Sequence, residues 1–228
     1  MLKTEYATQK FDTPAPISAE VDIPAGRIQF IAADRADTVV EIRPANPARS
    51  RDVKAVEGIR AAFEDGVLRI AGTEAAHRFL GHSGSVEVSV MLPAGSRVEA
   101  KAAGAEFRGV GRLGDVAFSG GYRSVKLDEA ASARLSVHEG EVSVGRLNGP
   151  AEISVQKGGI QIGEAVRGTV SLSSRHGDIT VAAARGVSAS LDAETGYGHI
   201  HNSLRNTGTS DLSLHASTTY GDITARSL

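Results

Sequence analysis

A short strand motif that returns about every eighteen residues constrains this chain more than any other feature. Its centre reads apolar, serine, apolar: Leu135-Ser136-Val137, Ile153-Ser154-Val155, Val170-Ser171-Leu172, Ala189-Ser190-Leu191 and Leu212-Ser213-Leu214, at steps of 18, 17, 19 and 23 residues. Weaker copies centred on Ala117 and Glu99 extend the series backward, which makes seven candidate coils. A second strand follows each serine-centred one: Val142-Ser143-Val144, Ile160-Gln161-Ile162, Ile179-Thr180-Val181, Ile200-His201-Asn202 and Ile223-Thr224-Ala225. Side chains alternate faces along a strand, so the flanking aliphatics point inward and the central Ser, Thr, Gln or His outward. One such coil cannot bury its own aliphatics. Stacked coils can, and the pattern therefore predicts an all-β chain, a β-solenoid with one continuous core.

Glycines punctuate the repeat, with Gly140, Gly159, Gly177, Gly198 and Gly221 read as the corners where each second strand begins. A corner needs positive φ or close backbone approach, and glycine permits both. The stretch before Val98 is less regular. Val21-Asp22-Ile23-Pro24-Ala25-Gly26 resembles Val90-Met91-Leu92-Pro93-Ala94-Gly95, each an alternating strand entering a turn. Arg60 to Phe63 and Val67 to Ile70 flank Glu64-Asp65-Gly66 as a tight hairpin. The best helix candidate begins at Asp52, and Thr73 to Gly84 reads as a mobile loop. Residues 1–97 are thus expected to form an irregular amino-terminal β region or cap, and residues 98–228 the regular coils, as one continuous folded unit.

Charge and composition narrow the partners. With 25 Lys and Arg against 27 Asp and Glu, the net charge of -2 gives no field that would draw the chain to nucleic acid. No cysteine is present, which excludes a disulfide framework and thiolate metal sites. The opening MLKTEYATQKFDTPAP lacks the apolar run of a signal peptide, and no window is apolar enough for a membrane span. A cytoplasmic location is the expectation.

Two sets of residues stand out as candidate sites. Arg112, Arg146, Arg167, Arg185 and Arg205 fall in connections between coils, and stacking them would make a ridge suited to phosphate or carboxylate groups of an anionic polymer. Pairing with Glu164 or Glu152 is the plainer reading of the same residues. Asp178, His199 and Asp222 follow the corner glycines and would form a column with His199 between two carboxylates, either a weak metal site or a hydrogen-bonded ladder. Neither a cofactor nor a metal is expected. Gly81-His82-Ser83-Gly84 lacks the nucleophile-elbow pattern of a catalytic serine. A glycan-cleaving β-helix is the enzyme alternative, but aromatics are 4% of the chain and Trp is absent.

The Gly-Asp-Ile-Thr motifs at 177–180 and 221–224, the serine-centred strands and the closing TTYGDITARSL resemble a bacterial "putative adhesin" family of β-strand repeats, classed as a domain of unknown function. The resemblance runs from about Phe11 to Leu228. It implies a β-solenoid and an adhesin-like role, and it supplies no catalytic residues. The resulting expectation is a non-enzymatic scaffold or interaction module that presents polar columns to a protein or an anionic polymer. Because the chain ends just past its last strand, homo-oligomerisation through an open carboxy-terminal coil is expected too.

Overall fold

The computed structural model of the chain describes residues 8–72 and 84–228. The loop reading for Thr73 to Gly84 and the Gly81-His82-Ser83 segment fall outside the described residues, Gly84 excepted. The chain opens with β1 (Thr8–Asp12), a long β2 (Ser18–Ala33) and β3 (Asp37–Pro44), then helix α1 (Ser50–Glu57) and a hairpin of β4 (Ile59–Glu64) and β5 (Val67–Gly72). It continues through β6 (Val86–Pro93) and two long strands, β7 (Arg97–Gly120) and β8 (Val125–Glu139). Shorter strands follow: β9 (Val142–Leu147), β10 (Ala151–Lys157), β11 (Ile160–Ala165), β12 (Gly168–His176), β13 (Ile179–Ala183), β14 (Ala189–Tyr197), β15 (Ile200–Ser203), β16 (Leu212–Tyr220) and β17 (Ile223–Ser227). The described chain is nearly all β, with one helix, and its seventeen strands form one open hydrogen-bonded network.

Beyond Val125 the pairing is wholly parallel and falls into two ladders. The first half of each rung pairs in the order β8, β10, β12, β16, β14, and the second half in the order β9, β11, β13, β17, β15. The alternation expected from the sequence is present: Leu135, Val137, Val142, Val144, Ile153, Val155, Ile160 and Ile162 are all at most 2% exposed, while Ser136, Ser154 and Gln161 face solvent. Each fully buried aliphatic contributes roughly 1.5–3 kcal/mol, and the rung above or below supplies most of its cover.

Three expectations about this stack are corrected. First, the carboxy-terminal rung is not the open end. β16 and β17 lie between β12/β13 and β14/β15, so the last rung in the chain is the last but one in the stack, and the open edge is β14/β15. Second, the serine register slips by two. Ser154 lies opposite Ser173, not Ser171, and the outward column runs Ser136, Ser154, Ser173, Ser217, Glu194. A slip of two residues leaves every side chain on its own face, so alternation cannot detect it. Third, the corner glycine of the β10–β11 rung is Gly158, at φ 139°, while Gly159 begins the next column.

The amino-terminal region is partly regular. β2 pairs in parallel with β7 along almost its whole length, Ser18 opposite Arg97 through Ile31 opposite Val110, so it is a rung of the same stack. The likeness between residues 21–26 and 90–95 is therefore not a structural one. β2 runs on through Pro24-Ala25-Gly26 around a corner, whereas β6 stops at Pro93 in a turn. The hairpin forms as expected, antiparallel, with Glu64 opposite Val67 and positive φ at Asp65 and Gly66. Helix α1 starts two residues before Asp52, whose buried carboxylate accepts the Ser85 N–H at 3.0 Å. β1 closes the region by pairing antiparallel with β3.

Candidate interaction surface

The corner between the two ladders is built from one repeated device. Gly140, Gly158, Gly177, Gly221 and Gly198 stack there with φ between 139° and 157°. A Cβ on any of the last four would collide with the carbonyl oxygen of the glycine on the neighbouring rung, and a Cβ on Gly140 with that of Arg123. No other residue permits this spacing. In the last three stacked rungs an inward hydroxyl seals the corner: Ser174 donates to Gly158 O at 3.0 Å, Thr218 to Gly177 O at 3.0 Å and Thr195 to Gly221 O at 2.9 Å.

Tight glycines force their neighbours outward into solvent-facing columns. The residue before each corner gives Glu139, Lys157, His176, Tyr220 and Tyr197 in stacking order. Continuing the register of Gly120 opposite Val137 adds Tyr122 at the far end. Lys157 Nζ meets Glu139 at 2.9 Å, which raises the lysine pKa. The His176 and Tyr220 rings stack at 5.0 Å and 2°, and the Tyr220 and Tyr197 rings at 5.1 Å and 4°. Tyr122, Tyr197 and Tyr220 are 67%, 70% and 48% exposed. The column covers five rung steps, roughly 24 Å. All three tyrosines of the described residues lie on it, so the exposed aromatic rings of the described residues gather along one edge, while Phe30, Phe107 and Phe118 are buried in the core.

On the other side of the glycines stands the anticipated column of Asp178, Asp222 and His199, in that order. His199 is not between the carboxylates, because β17 inserts between β13 and β15. Asp178 Oδ1 accepts the Asp222 N–H at 2.8 Å, and Asp222 Oδ1 accepts the His199 N–H at 2.8 Å. The His199 backbone N–H holds the Asp222 carboxyl below the usual carboxylate range. The ladder is thus a hydrogen-bonded one that ties each rung to the next. Among the described residues no group of three or more His, Asp or Glu is placed to hold a metal ion.

The five arginines do not form one ridge. Arg112, Glu129, Arg146 and Glu164 stack as alternating charges, with Arg146 paired to Glu164 and Asn148 bridging Arg146 and Glu129. Arg167 and Arg185 line one open depression with Val166, Val187 and Asp211, and Arg205 lies apart in the connection from β15 to β16. Alternation with carboxylates leaves little net positive field for an anionic polymer along that edge.

Sequence reasoning missed the tyrosine column, although a signal was available. Glu139, Lys157, His176, Tyr197 and Tyr220 each immediately precede a corner glycine, and reading Gly159 in place of Gly158 broke that alignment.

Among solved structures, the chain is similar to a "putative adhesin" from Bacteroides fragilis, at 15% identity and a TM-score of 0.47 over 98% of each chain. A "putative adhesin" from Parabacteroides distasonis is 16% identical with a TM-score of 0.47, covering 97% of this chain and 98% of that one. A "putative lipid binding protein" from the same species is 14% identical with a TM-score of 0.42 over 97% of each chain. No curated protein matches the sequence. The family model described as Toastrack DUF4097 matches residues 20–227, and the chain therefore belongs to that family, a domain of unknown function.

Proposed function

We propose that this protein is a non-catalytic β-solenoid interaction module, adhesin-like in using repeated surface columns, and that a protein partner docks along the tyrosine column. The observation that carries the reading is the clustering of every described tyrosine, with His176 and the Lys157–Glu139 pair, on one exposed edge of a stacked core. Tyrosine suits protein recognition because it offers a large rigid surface with a hydrogen-bonding tip and few rotatable bonds. The stack suits presentation, since each rung fixes the spacing of the next. Neutralised arginine columns favour a protein over an anionic polymer.

Capture from the native cell, with matched variants, tests this. The pair Tyr122→Ala and Tyr220→Ala should lose the partner that the unaltered chain retains, while Ser136→Ala with Ser154→Ala should keep it. Equal capture by both variants would remove the tyrosine column from the reading. Retention of uronate polymers by the unaltered chain would favour the polymer instead, and their cleavage would favour the β-helix enzyme alternative. A cytoplasmic location belongs to the same proposal, and cell fractionation checks it.

A further inference from the structure

The end of the stack at β14 and β15 is unfinished in three independent respects. Both strands pair on one side only, with β16 and β17, so a row of backbone N–H and C=O groups on the other side has no strand partner among the described residues. Ile200 is 43% exposed, whereas its stack equivalents Ile223, Ile179, Ile160 and Val142 are at most 1% exposed. Tyr197 covers Tyr220 with one ring face and is itself 70% exposed. Each of these is what an interior rung would show if the next rung were lifted away.

Charge on the two terminal strands says what fits there. β14 carries Asp192 and Glu194 outward, and β15 carries His201 outward with His199 at the corner beside it. Glu194 and His201 have no ion-pair partner within the described residues, and Asp192 only approaches His215 at 3.5 Å. β14 runs into the corner and β15 runs out of it, so the two strands have opposite senses relative to the corner. A two-fold axis directed through the corner therefore sets β14 of one molecule antiparallel to β15 of a second, and repeats the contact on the other side. That arrangement brings carboxylates against imidazoles twice. A two-fold that laid β14 on its own copy would oppose acid to acid.

We propose that this protein self-associates end to end through β14 and β15, as a two-fold dimer in which the acidic strand of one copy pairs with the histidine-bearing strand of the other. The contact is isologous and closed, so it yields a dimer and stops there. It shares Tyr197 with the tyrosine column, but Glu194 and His201 lie off that column and Tyr122 and the Glu139–Lys157 pair lie on rungs away from that end, so dimerisation and partner capture fail separately.

Sedimentation equilibrium of the full chain over a wide concentration range tests the proposal, with circular dichroism to show that each variant keeps its fold. The unaltered chain should reach a dimer and no larger species. Glu194→Lys and His201→Glu should each raise the dimer Kd at least tenfold, and the double variant should recover most of the loss because the charges are exchanged within the same pair. Amide exchange should show β14 and β15 becoming protected as concentration rises. A chain that stays monomeric at the highest concentration overturns the proposal, as does dimerisation indifferent to both single reversals. Species that keep growing with concentration also overturn it, since they mean that this end joins the β1/β4 end of the next molecule.

Discussion

Between Val125 and Ala183 the order of rungs in the chain is their order in the stack; between Ala189 and Ser227 it is reversed. The two regions share the same strand pattern, the same corner glycines and the same parallel pairing, so local propensity does not separate them. What separates them is cover. A rung in the first region has neighbours above and below, and its inward residues are aliphatic apart from Ser174, whose hydroxyl is satisfied by Gly158 O. The rung placed outermost, β14/β15, has one neighbour, and its second strand carries Asn202 where β11, β13 and β17 carry Ile162, Val181 and Ala225. An amide side chain costs little at an open end and several kcal/mol when buried without partners. The chain therefore seats its most aliphatic late rung, β16/β17, inside and leaves the more polar one outside.

The largest effect should come from the corners, where both regions are alike. Gly177→Val places a Cβ against the Gly158 carbonyl and forces a branched residue into φ 154°. Urea titration should show a loss of about 3 kcal/mol or more, or no folded protein at all. Ser173→Ala, one column outward on the same rung, should stay within about 0.5 kcal/mol. Equal tolerance at both positions would contradict the stacked corner.

Truncating inward aliphatics should then separate the regions. Leu147→Ala empties a site that is 0% exposed and should cost about 2–5 kcal/mol. Ile200→Ala, at 43% exposure, should cost less than about 1 kcal/mol in the monomer. If the two losses were equal, β15 could not be the outermost strand. A smaller effect belongs to the hydroxyl seal. Thr218→Val keeps the shape of the side chain and removes the donor to Gly177 O, for a loss of about 1 kcal/mol by the same titration.

These contrasts also mark what could be read from residues alone. Alternation, β-branched strands and glycine spacing were enough to anticipate stacked rungs around one core, because each is a local requirement of that arrangement. Register was not, since VSLSS offers two serine-centred settings that place identical faces inward, and only pairing chooses between Ser171 and Ser173. Stacking order was hidden for a related reason: any rung of this pattern can sit on any other. Asn202 was the one residue that distinguished the outermost rung. The candidate sites divided in the same way. The Asp178 and Asp222 ladder followed from the glycine corners, whereas the arginine ridge assumed that connections stack as regularly as strands do. Arg112 and Arg146 sit within strands and alternate with acids, while Arg167, Arg185 and Arg205 follow the strand ends.

The opposite end of the molecule supplies the smallest effect and the last contrast. There the edge strand β1 is fastened by charge, where β14/β15 is left open. Asp37 lies on β3 opposite Asp12, and its carboxylate receives the Arg35 guanidinium at 2.8 Å and the Lys10 ammonium at 3.0 Å. The Arg35 and Lys10 hydrogen bonds lower its pKa from 3.8 to about 2. A carboxyl depressed in the folded state stabilises fully above its unfolded value, and that stabilisation is lost as pH falls through the folded one. Protection factors of the β1 amides should therefore drop between about pH 4 and pH 2, while those of β10 to β13 hold. Asp37→Asn should loosen β1 already at neutral pH and flatten its response below pH 4. Protection of β1 that stays level across that interval in the unaltered chain would mean that backbone pairing and the Thr13–Thr38 hydroxyl contact at 2.8 Å fasten the strand without help from charge.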